Sequence, residues 1–358
     1  MARANGSAVA KFPSTRRDWT LIIAAIGVGI SFAVAASMPV PYVILSPGPT
    51  LNALGQAPSG RSLVQISGHR TYPVTGHLNL VTVSFQGGPS DHFNIFTALQ
   101  AWLTTDQAVV PEQELFGPGQ SQQEVTRQDT QEMASSEQTA TAAALCLLGM
   151  KFTVVDKVMT VEQGMPAAGA LRPGDVITAV DGTPVTCKAD ARAMIRSHSP
   201  GTPVTLTIER NGATRQLRLT TATQGGHAAV GVAVAESYRG FPVGVRIRVG
   251  DIGGPSAGLM FALAIVDKLT PGSLTGGRFV AGTGEISADG TVSPIGGIQQ
   301  KMVGARAAGA TIFMTPAANC ADTAGATPAG LRLVKVSTLS SAVQALHSLV
   351  AGKSAPSC

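Results

Sequence analysis

Ser256 and Lys301 are the two residues whose types and surroundings suit covalent chemistry. Ser256 sits in GGPSAG at 253–258, and Lys301 closes GGIQQK at 296–301. Gly253, Gly254 and Gly258 let a backbone pass close to the serine hydroxyl, where a Cβ would collide. Pro255 and Ser256 open an apolar run, Ala257 to Leu269, with the length and period of a buried helix. The spacing therefore places Ser256 at a helix N-terminus, where free N–H groups favour a developing oxyanion. Gly254, Pro255 and Ala257 are the backbone positions around that hole. A serine hydroxyl is a weak nucleophile until a base takes its proton. A lysine can be that base when burial keeps it neutral. Lys301 is flanked by Ile298, Met302, Val303 and Ala305, as such a site requires.

Three ordered motifs resemble the proteolytic domain of Lon proteases. GGPSAG is similar to that family's nucleophile motif, TGEIS at 283–287 to its TGE segment, and PIGGIQQKMVGARAAG at 294–309 to its lysine helix. The resemblance covers residues 225–345, with a weaker match upstream. It implies a Ser–Lys dyad of Ser256 and Lys301, with Thr283 helping to hold the lysine. It also implies that an edge strand before the serine, Val245–Val249 (Val245, Arg246, Ile247, Arg248, Val249), receives an extended polypeptide substrate. Asp251 and Glu285 lie near these groups in sequence. Either could support the lysine or pair with Arg246 or Arg248 on the surface, and the surface role is favoured. Rings, commonly hexamers, are the family's usual assembly, so a homo-oligomer is an expectation of the resemblance alone. The family usually carries an ATPase module. No G-x-x-x-x-G-K-[ST] occurs here, and GKS at 352–354 has His347 where the first glycine should stand. ATP-independent cleavage of accessible segments is the expectation.

These groups need elements to position them. The chain has 358 residues, 44% apolar and 13% charged, enough for two or three folded units. A net charge of +5 without basic–aromatic clusters gives no nucleic-acid site. Residues 1–17 form a basic tail, with Arg3, Lys11, Arg16 and Arg17. Residues 18–40 suit a transmembrane helix, because no charge occurs from Trp19 to Leu45. Arg16 and Arg17 put the N-terminus in the cytoplasm and the catalytic part outside it. AVAAS at 33–37 would suit a cleaved signal, but the span is long for a signal core and an anchor is preferred.

Residues 41–150 comprise a Pro/Gly-rich extended lead-out (41–58), strands within 62–86, and the N-terminal part of the protease region. Helices are expected over Phe93–Leu103 and Thr139–Leu148, with a polar stretch between them and a loop at 117–123. Residues 151–222 resemble a PDZ domain, through Pro166, Ala167, Gly169, Leu171, Gly174, Asp175 and the Asp181–Gly182 turn. By that family's geometry a peptide groove lies between Phe152–Val158 and the helix Ala189–His198. LLGM at 147–150 is read as a helix end with Gly149 as its cap, in preference to a carboxylate loop. Residues 223–350 form the Lon-like domain and 351–358 a tail. The expected fold is α+β: an N-terminal transmembrane helix, then a PDZ domain inserted before or within a Lon-type proteolytic domain.

Of the four cysteines, Cys320 and Cys358 flank the C-terminal segment and are the first pair to consider, against buried free thiols. No CxxC spacing occurs, and His69, His77, His92, His198, His227 and His347 do not cluster, so neither a metal nor a cofactor is expected. Two other function classes remain. GPSAG at 254–258 fits the G-x-S-x-G elbow of an α/β-hydrolase esterase, with His347 and Asp267, Asp289 or Asp322 as partners. A membrane-tethered peptide-binding scaffold with a silent dyad is the non-enzymatic alternative.

Overall fold

The computed structural model describes residues 16–56, 60–89, 91–250 and 252–358. The expected role of Asp251, and most of the basic tail, lie outside the described residues. The chain divides into two units, residues 1–46 with 85–122, and residues 47–84 with 123–358.

The smaller unit contains the helix Arg16–Ser37, which has no buried residue. It is long and apolar enough to cross a membrane. A short helix, Ile95–Trp102, begins at Asn94, whose side chain accepts the N–H groups of Phe96 and Thr97. The strand Ala108–Pro111 pairs antiparallel with Tyr42–Leu45. Ile44, Phe93, Ala98 and Ala101 form this unit's core.

The larger unit holds two sheets of different kinds. In the first, Arg332–Val336, Ile312–Pro316, Phe279–Gly282 and His77–Gln86 lie side by side and parallel, followed by the second half of Tyr42–Asn52. Segment 41–58, expected as an extended lead-out, is therefore largely a sheet strand. Pairing with Ala108–Pro111 stops at Leu45, ahead of Pro47 and Pro49, which have no N–H to give a neighbour.

Strand alternation sorts this sheet's side chains onto two faces. Leu80, Val280, Ile312 and Met314 pack with the helix Gly258–Leu269. Val81, Ala281 and Phe313 pack with the helix Ile298–Ala307. The two helices carrying the motifs thus lie on opposite faces. They meet only at the sheet's end, where Phe279–Gly282 stops and Thr283 follows.

The second sheet has the order Val232–Arg239, Thr153–Val161, Val176–Val180, Pro203–Arg210, Ala213–Thr220. The pair Asp181 and Gly182, both at positive φ, turns Val176–Val180 into Thr183–Pro184. Asp175, buried, takes two bonds from the Arg210 guanidinium, which holds its carboxyl below the usual carboxylate range. That pair fixes the Gly174–Asp175 corner. The strand Val232–Arg239 pairs antiparallel with Thr153–Val161 at the edge of this sheet.

Between the sheets runs one helix of 26 residues, Gln122–Leu147. The polar stretch before Thr139 forms its largely exposed N-terminal half. It ends at Gly149, at φ 67°, with the Met150 N–H on Leu145 C=O and the Gly149 N–H on Cys146 C=O. Cys146 bonds to Cys187, and Cys320 to Cys358.

Candidate active site

Ser256 lies in a short turn, Pro255–Ala257, immediately before the helix Gly258–Leu269. Its carbonyl is gripped by two donors, the Gly284 N–H at 2.8 Å and the Thr283 hydroxyl at 3.0 Å. Lys301 Nζ reaches across the sheet end to 2.9 Å from Ser256 Oγ. It also lies 3.3 Å from Thr283 Oγ1. Thr283 gives its proton to the Ser256 carbonyl, so its oxygen remains to accept from the amine.

Lys301 is 4% exposed. Burial pushes its amine down to about 8, with no carboxylate pulling it back. Glu285 is exposed, in the short strand Glu285–Ile286, and makes no bond to Lys301. Of the two roles open to it, support of the lysine has no contact behind it, and the favoured surface position is the one it occupies. A carboxylate beside the amine would have favoured the charged form.

A second serine–lysine contact shows why surroundings matter. Lys268 Nζ lies 2.7 Å from Ser62 Oγ, but it also donates to the Val64 carbonyl at 2.8 Å. Ser62 spends its own proton on that carbonyl. Burial lowers this lysine, and the neighbouring Asp267 offsets part of that. Lys268 is a donor in a structural bracket, whereas Lys301 has only hydroxyl partners.

The glycines at 253 and 258 are close-approach positions. A Cβ on Gly253 would stand 2.5 Å from Asp129 Cβ, and one on Gly258 would stand 2.9 Å from Ile286 Cγ2. The helix Gln122–Leu147 therefore lies directly on the loop that carries Ser256. Ser136 Oγ donates to the Pro255 carbonyl, and the Asp129 carbonyl accepts the Gly254 N–H at 3.3 Å. This revises the expected oxyanion backbone. Pro255 has no N–H, and that of Gly254 is spent on Asp129. The Gly258 and Leu259 N–H groups go to Pro255 and Gly284. Ser256 and Ala257 carry the remaining N–H groups of the turn before the helix.

The strand Gly244–Ile247 pairs on one side with Val64–Ser67, continued by the Arg248 N–H on the Leu63 carbonyl. No strand pairs with its other edge among the described residues. Val245, Arg246 and Ile247 belong to this strand, while Arg248 and Val249 lie just past its end. A cleft of about 920 Å³ runs between residues Ile247–Gly250 and the helix face bearing Thr126, Asp129, Met133 and Glu137. Burial pushes the Glu137 carboxyl up to about 7. These helix residues are absent from the sequence reading. They recur at helical spacing, but all except Met133 are polar, and apolar periodicity does not flag them.

The peptide groove expected beside Phe152–Val158 is corrected. Both edges of Thr153–Val161 are occupied, by Val232–Arg239 and Val176–Val180, so no row of free backbone groups remains there. The helix Ala191–Arg196 instead faces Val232–Val234 across a cavity of about 410 Å³, walled by Ile177, Ile195 and Val230. Val232–Arg239 is the sheet's edge strand.

Among the described residues no group of three or more His, Cys, Asp or Glu comes together to hold a metal. His347, the esterase candidate, lines a separate cavity with Val266, Thr270 and Leu274.

With this geometry in hand, the likeness to known proteins is specific. Residues 234–349 match the Lon protease (S16) C-terminal proteolytic domain, and residues 146–221 match a PDZ domain. The chain therefore carries a Lon-type proteolytic domain behind a PDZ domain, in a mixed α+β architecture. The Lon protease 2 of Herpetosiphon aurantiacus is 45% identical over 69 residues, 19% of this chain and 8% of that protein. The Lon protease 1 of Bacillus subtilis is also 45% identical over 69 residues, 19% of this chain and 9% of that protein. The chain thus spans under a tenth of the length of these relatives. The PDZ domain of an SdrC-like protein from Listeria monocytogenes is 24% identical, covering 22% of this chain and 85% of that one, with a TM-score of 0.20.

Proposed function

We propose that this chain is a membrane-anchored, ATP-independent serine endopeptidase working through a dyad of Ser256 and Lys301. The observation that carries the reading is a buried amine, pushed down to about 8, 2.9 Å from the serine hydroxyl. An extended polypeptide pairs with the free edge of Gly244–Ile247. Neutral Lys301 takes the Ser256 proton as Oγ bonds to the scissile carbonyl carbon. The Ser256 and Ala257 N–H groups hold the oxyanion. The C–N bond breaks, and Lys301 returns the proton to the leaving amine. Water, deprotonated by the same lysine, then releases the acyl group. Thr283 positions both partners at once, through the Ser256 carbonyl and the Lys301 amine.

The helix Arg16–Ser37 supports the anchor, with Arg16 and Arg17 at its cytoplasmic end. ATP independence is supported by the sequence pattern: GKS at 352–354 follows the helix Leu339–Val350, where no strand feeds a phosphate loop.

The test is the pH dependence of kcat/KM on a short peptide. Activity should rise as pH passes about 8, because the active form is the neutral amine. Glu137, titrating at about 7 in the cleft, is the other group in range, and Glu137→Gln should leave the limb near 8 in place. Lys301→Ala should abolish the activity and His347→Ala should retain it. The reverse pattern would favour the esterase.

The PDZ groove is proposed to position polypeptide substrates. Only Gly240–Val243 separate its edge strand from the strand leading to Ser256, so two peptide-accepting edges follow one another. Val232→Lys puts a charge on the groove wall. Cleavage of an unfolded polypeptide should fall severalfold, while short-peptide cleavage stays unchanged. Equal loss on both substrates would remove the positioning role.

A further inference from the structure

The smaller unit carries an apolar face that the peptidase reading does not use. On the helix Ile95–Trp102 and its cap Leu103, four large side chains point outward. Ile95 is 39% exposed, Leu99 53%, Trp102 71% and Leu103 72%. Their spacing, i, i+4, i+7 and i+8, puts them on one side of the helix. Ala98 and Ala101 on the inner side pack with Ile44 and Phe93, so the outer face is not surplus core. No charged residue occurs from Phe93 to Thr105. Scattered exposed leucines need no explanation, but a contiguous uncharged face does.

What covers this face follows from its place beside the apolar helix Arg16–Ser37. The Val40 N–H donates to the Phe93 carbonyl at 3.1 Å, and Pro39 forms a β-bridge with Asn94, the cap of the short helix. The short helix therefore starts level with the point where the long one ends, at Ser37. Phe96 stacks on Phe32 with ring centroids 4.3 Å apart. Phe32 lies five residues before Ser37, about 7.5 Å below the helix end. Phe96 also stands i−3 from Leu99 and i−7 from Leu103, so it borders the exposed face. The apolar surface of the long helix thus runs without a break onto the short one.

We propose that Ile95–Trp102 is an interfacial helix. Its Ile95, Leu99, Trp102 and Leu103 face seats in the outer leaflet of the bilayer that Arg16–Ser37 crosses. The depth set by the Phe32–Phe96 contact matches the roughly 5–10 Å at which amphipathic helices lie in the headgroup–acyl boundary. Trp102 suits that boundary, with an apolar ring and a polar N–H. Such a foot would fix this unit's orientation at the membrane surface, which a single spanning helix, free to rotate, does not. The proposal rests on the anchored reading, and its test separates the two.

The chain has two tryptophans, Trp19 and Trp102. The full chain is reconstituted in phosphatidylcholine vesicles with and without lipid brominated high on the acyl chain. In Trp19→Phe the remaining Trp102 should lose about half its emission to the bromines. In Trp102→Phe the remaining Trp19 reports insertion of the long helix. Quenching of Trp19 with an unquenched Trp102 overturns the interfacial helix and leaves the anchor standing. Absence of quenching in both removes the anchor, and the proposal falls with it. An unquenched Trp102 that cross-links to a second copy of the chain would identify an oligomer contact instead.

Discussion

Lys301→Met is expected to abolish peptidase activity and, at neutral pH, to make the fold more stable. Loss of the base should cost on the order of 10³-fold or more in kcat, as for the loss of other members of such constellations. The stability gain follows from the site's own physics. The amine has an ordinary value of 10.5 and is pushed down to about 8 by burial. Between those values the unfolded chain binds a proton that the folded chain does not. Stability of the parent therefore rises as pH climbs from about 8 to about 10.5.

Below about 8 the buried amine costs the fold its full penalty, about 3 kcal/mol for a shift of this size. Methionine has similar length and no charge to desolvate. Loss of the bonds to Ser256 and Thr283 offsets part of the gain, so a net of about 1–3 kcal/mol is expected at pH 7. The advantage should shrink to nothing as pH rises through the same window. Denaturant melts of parent and variant at pH 7 and near 10.5 check it. A variant less stable than the parent at pH 7, with unchanged pH dependence, would mean that the Lys301 amine is not depressed in the fold and is charged at neutral pH. The general-base role would go with that result.

Removing the Cys146–Cys187 bond by a double serine replacement is expected to cost about 2–4 kcal/mol and roughly 5–15 °C of Tm. The bond closes a loop with a sequence separation of 41, from the last turn of Gln122–Leu147 to the segment before Ala191–Arg196. Both of its ends are anchored in cores, Cys146 among the buried residues and Cys187 against the PDZ core. The freedom regained on removing it therefore goes almost wholly to the unfolded chain. Cys320–Cys358 closes a loop of similar separation, 38, but Cys358 lies in exposed, irregular chain past the helix Leu339–Val350. Without it the tail beyond Val350 regains motion in the folded state too, and this cancels part of the effect. Thermal melts of the two double variants should thus differ, with the Cys146–Cys187 variant melting lower. Equal midpoints would mean that the helix and the PDZ sheet are held together by packing alone.

What could be read from sequence is what depends on neighbours along the chain. The apolar span 19–38, the turn at Asp181–Gly182, the glycine cap at 149 and the serine at a helix start all declare themselves by local spacing and residue type. The motif order of Ser256, Thr283 and Lys301 does the same. Strand edges do not. Whether Thr153–Val161 or Val232–Arg239 offers a free edge depends on which strands pair, and pairing joins residues about 80 positions apart. The cleft wall on Gln122–Leu147 was hidden for a related reason. Polar residues facing a cleft and polar residues facing water look the same until a loop from position 250 onwards is laid against them. The expected oxyanion positions, too, are narrowed by the Gly254 N–H spent on the carbonyl of Asp129, a residue far off in the chain. Most of all, the dryness of Lys301 is a property of two helices meeting from opposite faces at the end of a sheet. No window of sequence contains that enclosure, because desolvation is the sum of everything packed around an atom.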